Sequence, residues 1–260
     1  MSDAVLHELD EEGVLLVTLN RPQKKNAFDD AQWDGLRDAL NDARKDPRVA
    51  VVVVTGAGGD FSAGQDLAAF GASAQREDGH PNGYYGCMEA LAVFDKPLLA
   101  AAKGVGVGIG ATFLFHCDIV YVGESVRLRL PFVSLGLVPE CASSYLLQQV
   151  IGSQRAAELF YTAEWIDAGQ AVELGMAAGV FPDAQLLEAT LAVAREIAQY
   201  PVSALQATKR TLLRAHRDGI QAAFEAENQG MQEQAGSPEN VEAVKAFLER
   251  RKPDFRQFRR

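Results

Sequence analysis

Short apolar runs alternate with amphipathic stretches along residues 1–200, a pattern that predicts strands and helices in succession. The run at 49–55 is rich in apolar β-branched residues, as expected of a strand buried on both faces. Apolar residues at helical spacing predict a helix that begins at Asn26 and ends at Asp46. The other expected elements are strands at 14–19, 97–103, 118–122, 126–130 and 178–181 and a helix at 84–94.

From residue 184 to the end, only helical patterns follow. They are separated at Pro201, near Asp218 and Gly219, and at Ser237, where Ser237 as N-cap and Pro238 give a strong start signal. We therefore predict an α/β core over residues 1–200 and a helical region over residues 201–260. Because no flexible linker separates them, we expect the two parts to pack together, with the helical region making subunit contacts.

Composition and charge exclude several classes of protein. The 260 residues are 48% hydrophobic, which argues against disorder, and carry a formal net charge of −10, which argues against nucleic-acid binding. No apolar run is long enough to cross a membrane. Three widely spaced cysteines and the lack of a leader-like segment predict a cytoplasmic protein. The four histidines lack ligand spacing, so no metal site is expected.

Two glycine-rich segments could place main-chain N–H groups around a ligand. The first, 61–67, leads into a predicted helix that begins at Asp66. An ordinary loop with Asp66 as the helix cap explains this segment equally well. The second, 104–110, has glycine at every second position, which permits close approach of a ligand to the backbone or tight packing of a helix on a sheet.

The second segment also fits a dinucleotide-binding fingerprint, through Gly106, Gly108 and Ala111. The next predicted strand follows after about eight residues, too few for the usual crossover helix. An NAD-dependent oxidoreductase is therefore the weakest alternative.

Glu140 is a candidate general base. It follows Pro139 at the start of a predicted helix, among apolar and small residues. A carboxylate in a first helical turn is common and needs no function. In a dry pocket, burial would raise its pKa while the helix start would lower it, and the sequence leaves that balance open.

Eight segments in order resemble the crotonase, or enoyl-CoA hydratase/isomerase, family, and the resemblance covers essentially the whole chain. They are 19–22 with 26–28, 53–56, 61–67, 96–97, 117–121, 135–139, 168–175 and 246–253. The resemblance implies an α/β fold with a spiral core of repeated ββα units, (ββα)n, and a C-terminal helical region used for trimerisation. It also implies an acyl-CoA thioester substrate, a homotrimer or a dimer of trimers, and no cofactor, because coenzyme A is part of the substrate.

Carried over by position, the resemblance assigns an oxyanion hole to the main-chain N–H groups of Gln65 and Ile109. The family usually has glycine at the second position, so Ile109 is a departure that keeps the N–H but narrows the space. Each such donor is typically worth ~3 kcal/mol of transition-state stabilisation. The residues that the resemblance assigns to substrate binding are Ala63, Gly64, Asp66, Leu67, Gly108, Gly110, Thr112 and Phe132.

The basic run at 249–260 is unusual in an acidic chain. By itself it is typical of a solvated tail. With the family resemblance, Arg250 and Lys252 are expected to contact the phosphates of coenzyme A, and Phe255 or Phe258 to cover an acyl pocket.

The hydratases of the family share two glutamates that handle a water, and this chain has Thr112 and Phe132 in their places. A subgroup similar to the Δ3,Δ2-enoyl-CoA isomerases also lacks them and carries one glutamate, here Glu140. One base suffices for isomerisation, because the proton taken from C2 returns to C4. We therefore expect an enoyl-CoA isomerase with Glu140 as its catalytic residue.

Two alternatives remain open beside the isomerase. A hydratase or another crotonase-type reaction would keep the fold and use different groups. A non-catalytic acyl-CoA-binding protein would bind thioesters tightly and convert none of them.

Overall fold

The computed structural model describes residues 3–66 and 83–259, which form two sheets and a set of helices. The strands are β1 (Val5–Leu9), β2 (Val14–Leu19), β3 (Val51–Gly56), β4 (Leu98–Ala102), β5 (Val105–Val107), β6 (Ile119–Gly123), β7 (Arg127–Arg129), β8 (Trp165–Asp167) and β9 (Gly179–Phe181). The α-helices are α1 (Asp30–Lys45), α2 (Gly83–Ala92), α3 (Ile109–Thr112), α4 (Ser143–Ile151), α5 (Ser153–Thr162), α6 (Ala168–Glu173), α7 (Asp183–Ala198), α8 (Val202–Arg214), α9 (Arg217–Gln234) and α10 (Pro238–Leu248). Short 3-10 helices lie at Pro22–Lys24, Phe113–His116, Val133–Leu135 and Phe255–Phe258.

The larger sheet has the strand order β1-β2-β3-β4-β6-β9, with β1 antiparallel to β2 and every other pair parallel. Its central strand β3 is buried along Val51–Thr55 because helices cover both faces. On one face, residues of α1 and α2 join the main core, in which Trp33 and Leu36 are buried. On the other face, α7 packs Ala194 against Val51, Val53 and Leu99.

Two strands followed by a helix recur along the chain as β1–β2–α1, β4–β5–α3 and β6–β7–α4. In the last two repeats the first strand belongs to the larger sheet and the second to a smaller sheet ordered β5-β7-β8. The chain crosses between the sheets at Gly104, whose φ of +59° and close approach to the Gly59 carbonyl leave no room for a side chain. These repeats have the ββα form that the family resemblance implied.

The C-terminal helices contact the α/β core through buried polar side chains. Lys209 of α8 donates to the Lys96 carbonyl and to the carboxylate of Asp118, and Asn240 of α10 donates to the Leu135 carbonyl. Glu227 of α9 reaches the start of α4. Across residues 3–66 and 83–259, no helix combines the length and apolar character that a bilayer crossing requires.

Several expectations about element boundaries were wrong. Asn26 does not start a helix: it has a φ of +54°, and its side chain bonds to the Ala57 and Asp60 carbonyls, while α1 begins after the N-cap Asp29. The strands β1, β5 and β8 were not expected. The break between α8 and α9 lies at 215–216 rather than near Asp218.

Candidate active site

The two glycine-rich segments lie side by side in the structure. Ser62 and Gly106 form a parallel bridge, in which the Ser62 N–H donates to the Val105 carbonyl and the Val107 N–H donates to the Ser62 carbonyl, both at 3.0 Å. Gly64 makes this approach possible, since a Cβ there would lie 2.6 Å from the Val107 carbonyl oxygen. Its φ of +94° also requires glycine.

The main-chain N–H of Gln65 points away from Phe28, the residue with which Gln65 pairs. Gln65 forms a parallel bridge with Phe28, made by the Phe28 N–H to the Gly64 carbonyl at 2.7 Å and the Asp66 N–H to the Phe28 carbonyl at 2.8 Å. In a parallel bridge the flanking residues supply the bonds, so the N–H of Gln65 itself faces the other way. No acceptor for it lies within the described ranges. The Gln65 side chain is held by Trp33, whose Nε1 donates to Oε1 at 3.0 Å.

Ile109 carries the second main-chain N–H group that the resemblance assigned to the oxyanion hole. It is the first residue of α3, after the N-cap Gly108, whose carbonyl accepts from Ala111 and Thr112. The N–H of Ile109 therefore has no acceptor inside the helix. Gln65 and Ile109 each follow the Ser62–Gly106 bridge by three residues, and Gly64 and Gly108, which precede them, both have positive φ. The Ile109 side chain is fully buried in the core, so it occupies core space rather than the space in front of its own N–H.

Glu140 lies on a strained turn rather than inside a helix. The expected helix starts only at Ser143, and the two residues between, Cys141 and Ala142, have φ values of +62° and +52°. Such left-handed conformations cost about 1 kcal/mol or more for a non-glycine residue. Strain of this kind persists where the surroundings hold it, and it concentrates at functional sites.

Three side chains from separate elements hold this turn. The Tyr84 hydroxyl accepts from the Cys141 N–H at 2.9 Å. His116 Nε2 lies 2.8 Å from the Cys141 carbonyl oxygen. The Glu227 carboxylate accepts from the N–H groups of Ala142 and Ser144 at 2.7 and 2.8 Å.

The Glu140 carboxylate faces Gly108 and Ile109. Its Oε1 lies 3.7 Å from the position that a Cβ on Gly108 would take. Burial raises the pKa of Glu140 to about 7; the nearby charge of Glu227 adds to the rise, and the Ile109 N–H opposes it. A carboxyl group with a pKa near neutrality can both accept and return a proton, as a general acid–base group must.

Thr112 and Phe132, which the resemblance places where the hydratases carry glutamates, are both buried here. Thr112 is fully buried at the end of α3. Phe132 is buried and packs on Phe160, with ring centroids 6.3 Å apart. Neither position offers a carboxylate to a water.

The remaining predicted site residues are placed as follows. Ala63, Gly64 and Gly110 line the junction of the two glycine-rich segments, where a Cβ on Gly110 would meet the Ser62 carbonyl. Asp66 pairs with Arg21 at 3.0 Å. Leu67 lies outside the described residues.

The three residues of the C-terminal tail are separate from this group in the described structure. Arg250 and Lys252 are exposed beyond α10, and Phe255 is half-buried in the following 3-10 helix. In residues 3–66 and 83–259, no hydrogen bond or ion pair joins them to the turn of Glu140. Their contact with coenzyme A stays a prediction.

Tyr84 and Glu227 were not predicted to belong to the site, and His116 was considered only among the four histidines that lack metal-ligand spacing. Nothing in their sequence neighbourhoods marks them, because their role depends on contacts with residues far away in the chain. As for metals, the described ranges contain no cluster of three His, Cys, Asp or Glu side chains able to hold an ion.

Comparison with known proteins agrees with this fold. The family model for enoyl-CoA hydratase/isomerase matches residues 10–259. A 2,3-dehydroadipyl-CoA hydratase of Escherichia coli (strain K12) is 34% identical over 249 residues, covering 95% of this chain and 96% of that protein. A 1,2-epoxyphenylacetyl-CoA isomerase of the same strain is 32% identical over 256 residues, covering 94% and 95%. A crystal structure of an enoyl-CoA hydratase/isomerase from Pseudoalteromonas atlantica T6c matches with a TM-score of 0.92 and 33% identity, covering 97% of this chain and all of that one.

The chain therefore belongs to the enoyl-CoA hydratase/isomerase family and has the crotonase fold. It is an enzyme of that family, whose members act on acyl-CoA thioesters. The expected family and fold class are confirmed.

Proposed function

We propose that this enzyme is an enoyl-CoA isomerase that moves a double bond from C3 to C2 of an acyl-CoA. The observation that carries the proposal is the position of Glu140, a carboxyl group with a pKa near 7 directly beside the main-chain N–H of Ile109. A base next to an oxyanion donor is the arrangement that enolate chemistry requires.

In the proposed reaction, Glu140 removes a proton from C2 of a 3-enoyl-CoA. The electron pair of the C–H bond moves onto the thioester carbonyl, and the N–H groups of Gln65 and Ile109 bind the resulting enolate oxygen. The protonated Glu140 then delivers the same proton to C4 as the C2–C3 double bond forms. Protons and electrons balance within the substrate and one carboxyl group, so the proposal includes no metal and no redox cofactor.

The second carboxylate near Glu140 is unsuited to hydration. Glu227 uses both oxygens to accept main-chain N–H groups, from Ala142 and Ser144. A hydratase would need a free carboxylate to orient the water. Hydration remains the second candidate because a relative 34% identical to this chain is named a hydratase.

The assay follows the absorbance of the conjugated enoyl-thioester with a 3-enoyl-CoA and, separately, with a 2-enoyl-CoA. We expect a rise with the first substrate and no loss with the second. Loss of the band with the 2-enoyl-CoA would indicate hydration, and no change with either would favour another crotonase-type reaction or a non-catalytic acyl-CoA-binding protein.

Substitution of the base tests its role directly. Glu140→Gln should lower isomerisation by at least about 10²-fold while acyl-CoA binding stays intact. The matched control is Glu124→Gln, which removes one negative charge from an exposed position. Undiminished isomerisation in Glu140→Gln would overturn the assignment.

We also propose that residues 201–260 form the oligomer contacts of a homotrimer or a dimer of trimers, and that the enzyme is cytoplasmic. Large apolar side chains of this region are exposed in the single chain, among them Leu212, Val241, Phe247 and Leu248. Apolar exposure on this scale is typical of a surface that is covered by a partner. Light scattering on the purified protein would test the assembly, and a monomer would contradict it.

A further inference from the structure

Glu227 lies in the helical region yet contacts the turn that carries the candidate base. It is buried, with 6% of its surface exposed. Its two carboxylate oxygens accept from Ala142 and Ser144, the residues two and four positions after Glu140. Burying a carboxylate costs free energy unless hydrogen bonds replace its lost hydration. Glu227 obtains these bonds from the turn after Glu140, which is 87 residues away in sequence.

The hydrogen bonds of Glu227 are strong enough to hold the strained turn. Left-handed conformations at Cys141 and Ala142 together cost roughly 2–4 kcal/mol. Hydrogen bonds to a charged acceptor contribute about 1.5–3 kcal/mol each. The two hydrogen bonds that Glu227 accepts therefore offset the strain of the turn and fix the direction in which the chain presents Glu140.

We propose that Glu227 is a positioning residue for Glu140. Its carboxylate holds the turn at 141–142 and keeps a negative charge near the base. This proposal rests on the proposed role of Glu140 as the base. It gives the helical region a part in the chemistry in addition to its proposed part in assembly.

The other titratable groups around the turn do not change charge near neutral pH. Burial raises the pKa values of the Tyr84 hydroxyl and the Cys141 thiol well above their usual range, so both stay neutral. Burial lowers the pKa of His116 to about 4, assisted by the charge of Lys209, so the imidazole is also neutral. In the described part of the chain, Glu140 and Glu227 pair with no lysine or arginine. Burial also raises the pKa of Glu227, and the hydrogen bonds from Ser144 and Ala142 oppose that rise by favouring the ionised form. When ionised, Glu227 is the charge that acts most directly on Glu140.

Glu227→Gln separates positioning from a merely structural role. The amide keeps the size of the side chain, removes the charge and replaces one acceptor oxygen with a donor. We expect the plateau kcat to fall by about 10-fold, because the base is less well placed. We also expect the acid limb of the rate profile to move to lower pH by roughly one unit, because Glu140 ionises more easily without a like charge nearby.

Two further variants complete the test. Glu225→Gln removes the same charge from an exposed position of α9 and should change neither quantity. Ala142→Gly added to Glu227→Gln should restore much of the kcat, since glycine adopts the left-handed conformation freely, while the limb stays at lower pH. An unmoved acid limb in Glu227→Gln would overturn the proposal, as would failure of both the single and the double variant to fold.

A titration independent of turnover distinguishes this proposal from the proposed function. The carboxyl carbon of Glu140 can be followed by ¹³C NMR and assigned by its absence in Glu140→Gln. We expect the titration to move to lower pH in Glu227→Gln and to stay in place in Glu225→Gln. A shift without any isomerase activity would overturn the proposed function and leave the electrostatic role of Glu227 standing. Isomerase activity without a shift would overturn the role of Glu227 and leave the proposed function standing.

Discussion

His116 donates a hydrogen bond from Nε2 to the carbonyl oxygen of Cys141, 2.8 Å away. A carbonyl can only accept, so the neutral ring carries its proton on Nε2. The bond ties the 3-10 helix Phe113–His116 to the turn that follows Glu140. Because burial holds the pKa of His116 at about 4, the ring contributes to stability through its neutral form.

The first prediction concerns acid stability. The unfolded chain binds a proton at His116 below about pH 6.5, and the folded chain does so only near pH 4. Stability is therefore complete above about pH 6.5 and falls as the pH approaches 4. His116→Gln keeps a donor for the Cys141 carbonyl. We expect the loss of unfolding free energy between pH 7.5 and pH 5, measured by urea unfolding, to be about 1–2 kcal/mol smaller in this variant than in the wild type. His7→Gln, on the exposed side of β1, should leave the pH dependence unchanged.

The second prediction is that the enzyme is destabilised by its own base. The folded-state pKa of Glu140 is raised to about 7, so folding favours the protonated form. Its contribution to stability is greatest below the ordinary pKa of about 4.3 and declines as the pH rises towards 7. Glu140→Gln should therefore raise the Tm at pH 8 by a few degrees relative to wild type, and much less at pH 5. An equal effect at both pH values would contradict the raised pKa.

The third prediction concerns the pH dependence of the reaction. The proposed base acts only when ionised, so kcat/KM for a 3-enoyl-CoA should fall about tenfold per unit below the pKa of Glu140, with a midpoint near pH 7. Rate measurements between pH 5.5 and 9 would show this limb. A profile that is flat down to pH 5.5 would exclude Glu140 as the base.

The fourth prediction concerns Gly64. An alanine there would place its Cβ 2.6 Å from the Val107 carbonyl oxygen at a φ of +94°, so the two glycine-rich segments must separate. We expect Gly64→Ala to lower kcat by about 10²-fold, because the N–H groups of Gln65 and Ile109 move apart. Gly59→Ala is the matched control, since a Cβ at Gly59 meets nothing within 4 Å. Similar kcat values for the two variants would contradict a role of the Gln65 N–H in the reaction.

The fifth prediction compares two cations of α8. Lys209 is buried, with 6% of its side chain exposed, and pairs with Asp118, whereas the side chain of Arg210 is 54% exposed and pairs with Asp95. Lys209→Met removes the cation paired with Asp118 and the donor to the Lys96 carbonyl, and it should cost about 2–4 kcal/mol in urea unfolding. Arg210→Met should cost less than about 1 kcal/mol. Equal costs would mean that the buried pair does not anchor α8.

Local signals in the sequence predicted most of the fold. β3 could be predicted because a run of valines suits a strand buried on both faces. The capping box of Asp167 and Gln170 and the N-cap Ser237 follow rules that need only neighbouring residues. The start of α1 was missed because Asn26, a good cap by composition, instead bonds to residues 57 and 60 across the fold.

The candidate site could be predicted only where a short segment carries its geometry. Gln65 and Ile109 were assigned from the family resemblance of two glycine-rich segments, and the positive φ values at Gly64 and Gly108 favour glycine beside each of them. Glu140 was identified, but the balance of effects on its pKa was open. The structure resolves this balance, because burial raises the pKa of Glu140 and the charge of Glu227 adds to the rise, and both effects depend on residues distant in sequence.

The parallel bridges place main-chain atoms, not side chains, at the proposed enolate site. A point mutation changes a side chain and leaves the N–H of every residue except proline in place. The proposed donors are therefore hard to lose by single substitutions, and the isoleucine at position 109 illustrates this tolerance. A substitution of the proposed base Glu140 would likewise leave both N–H groups in place. The proposed capacity to bind an enolate oxygen thus depends on the backbone, whereas the proposed proton transfer depends on one side chain.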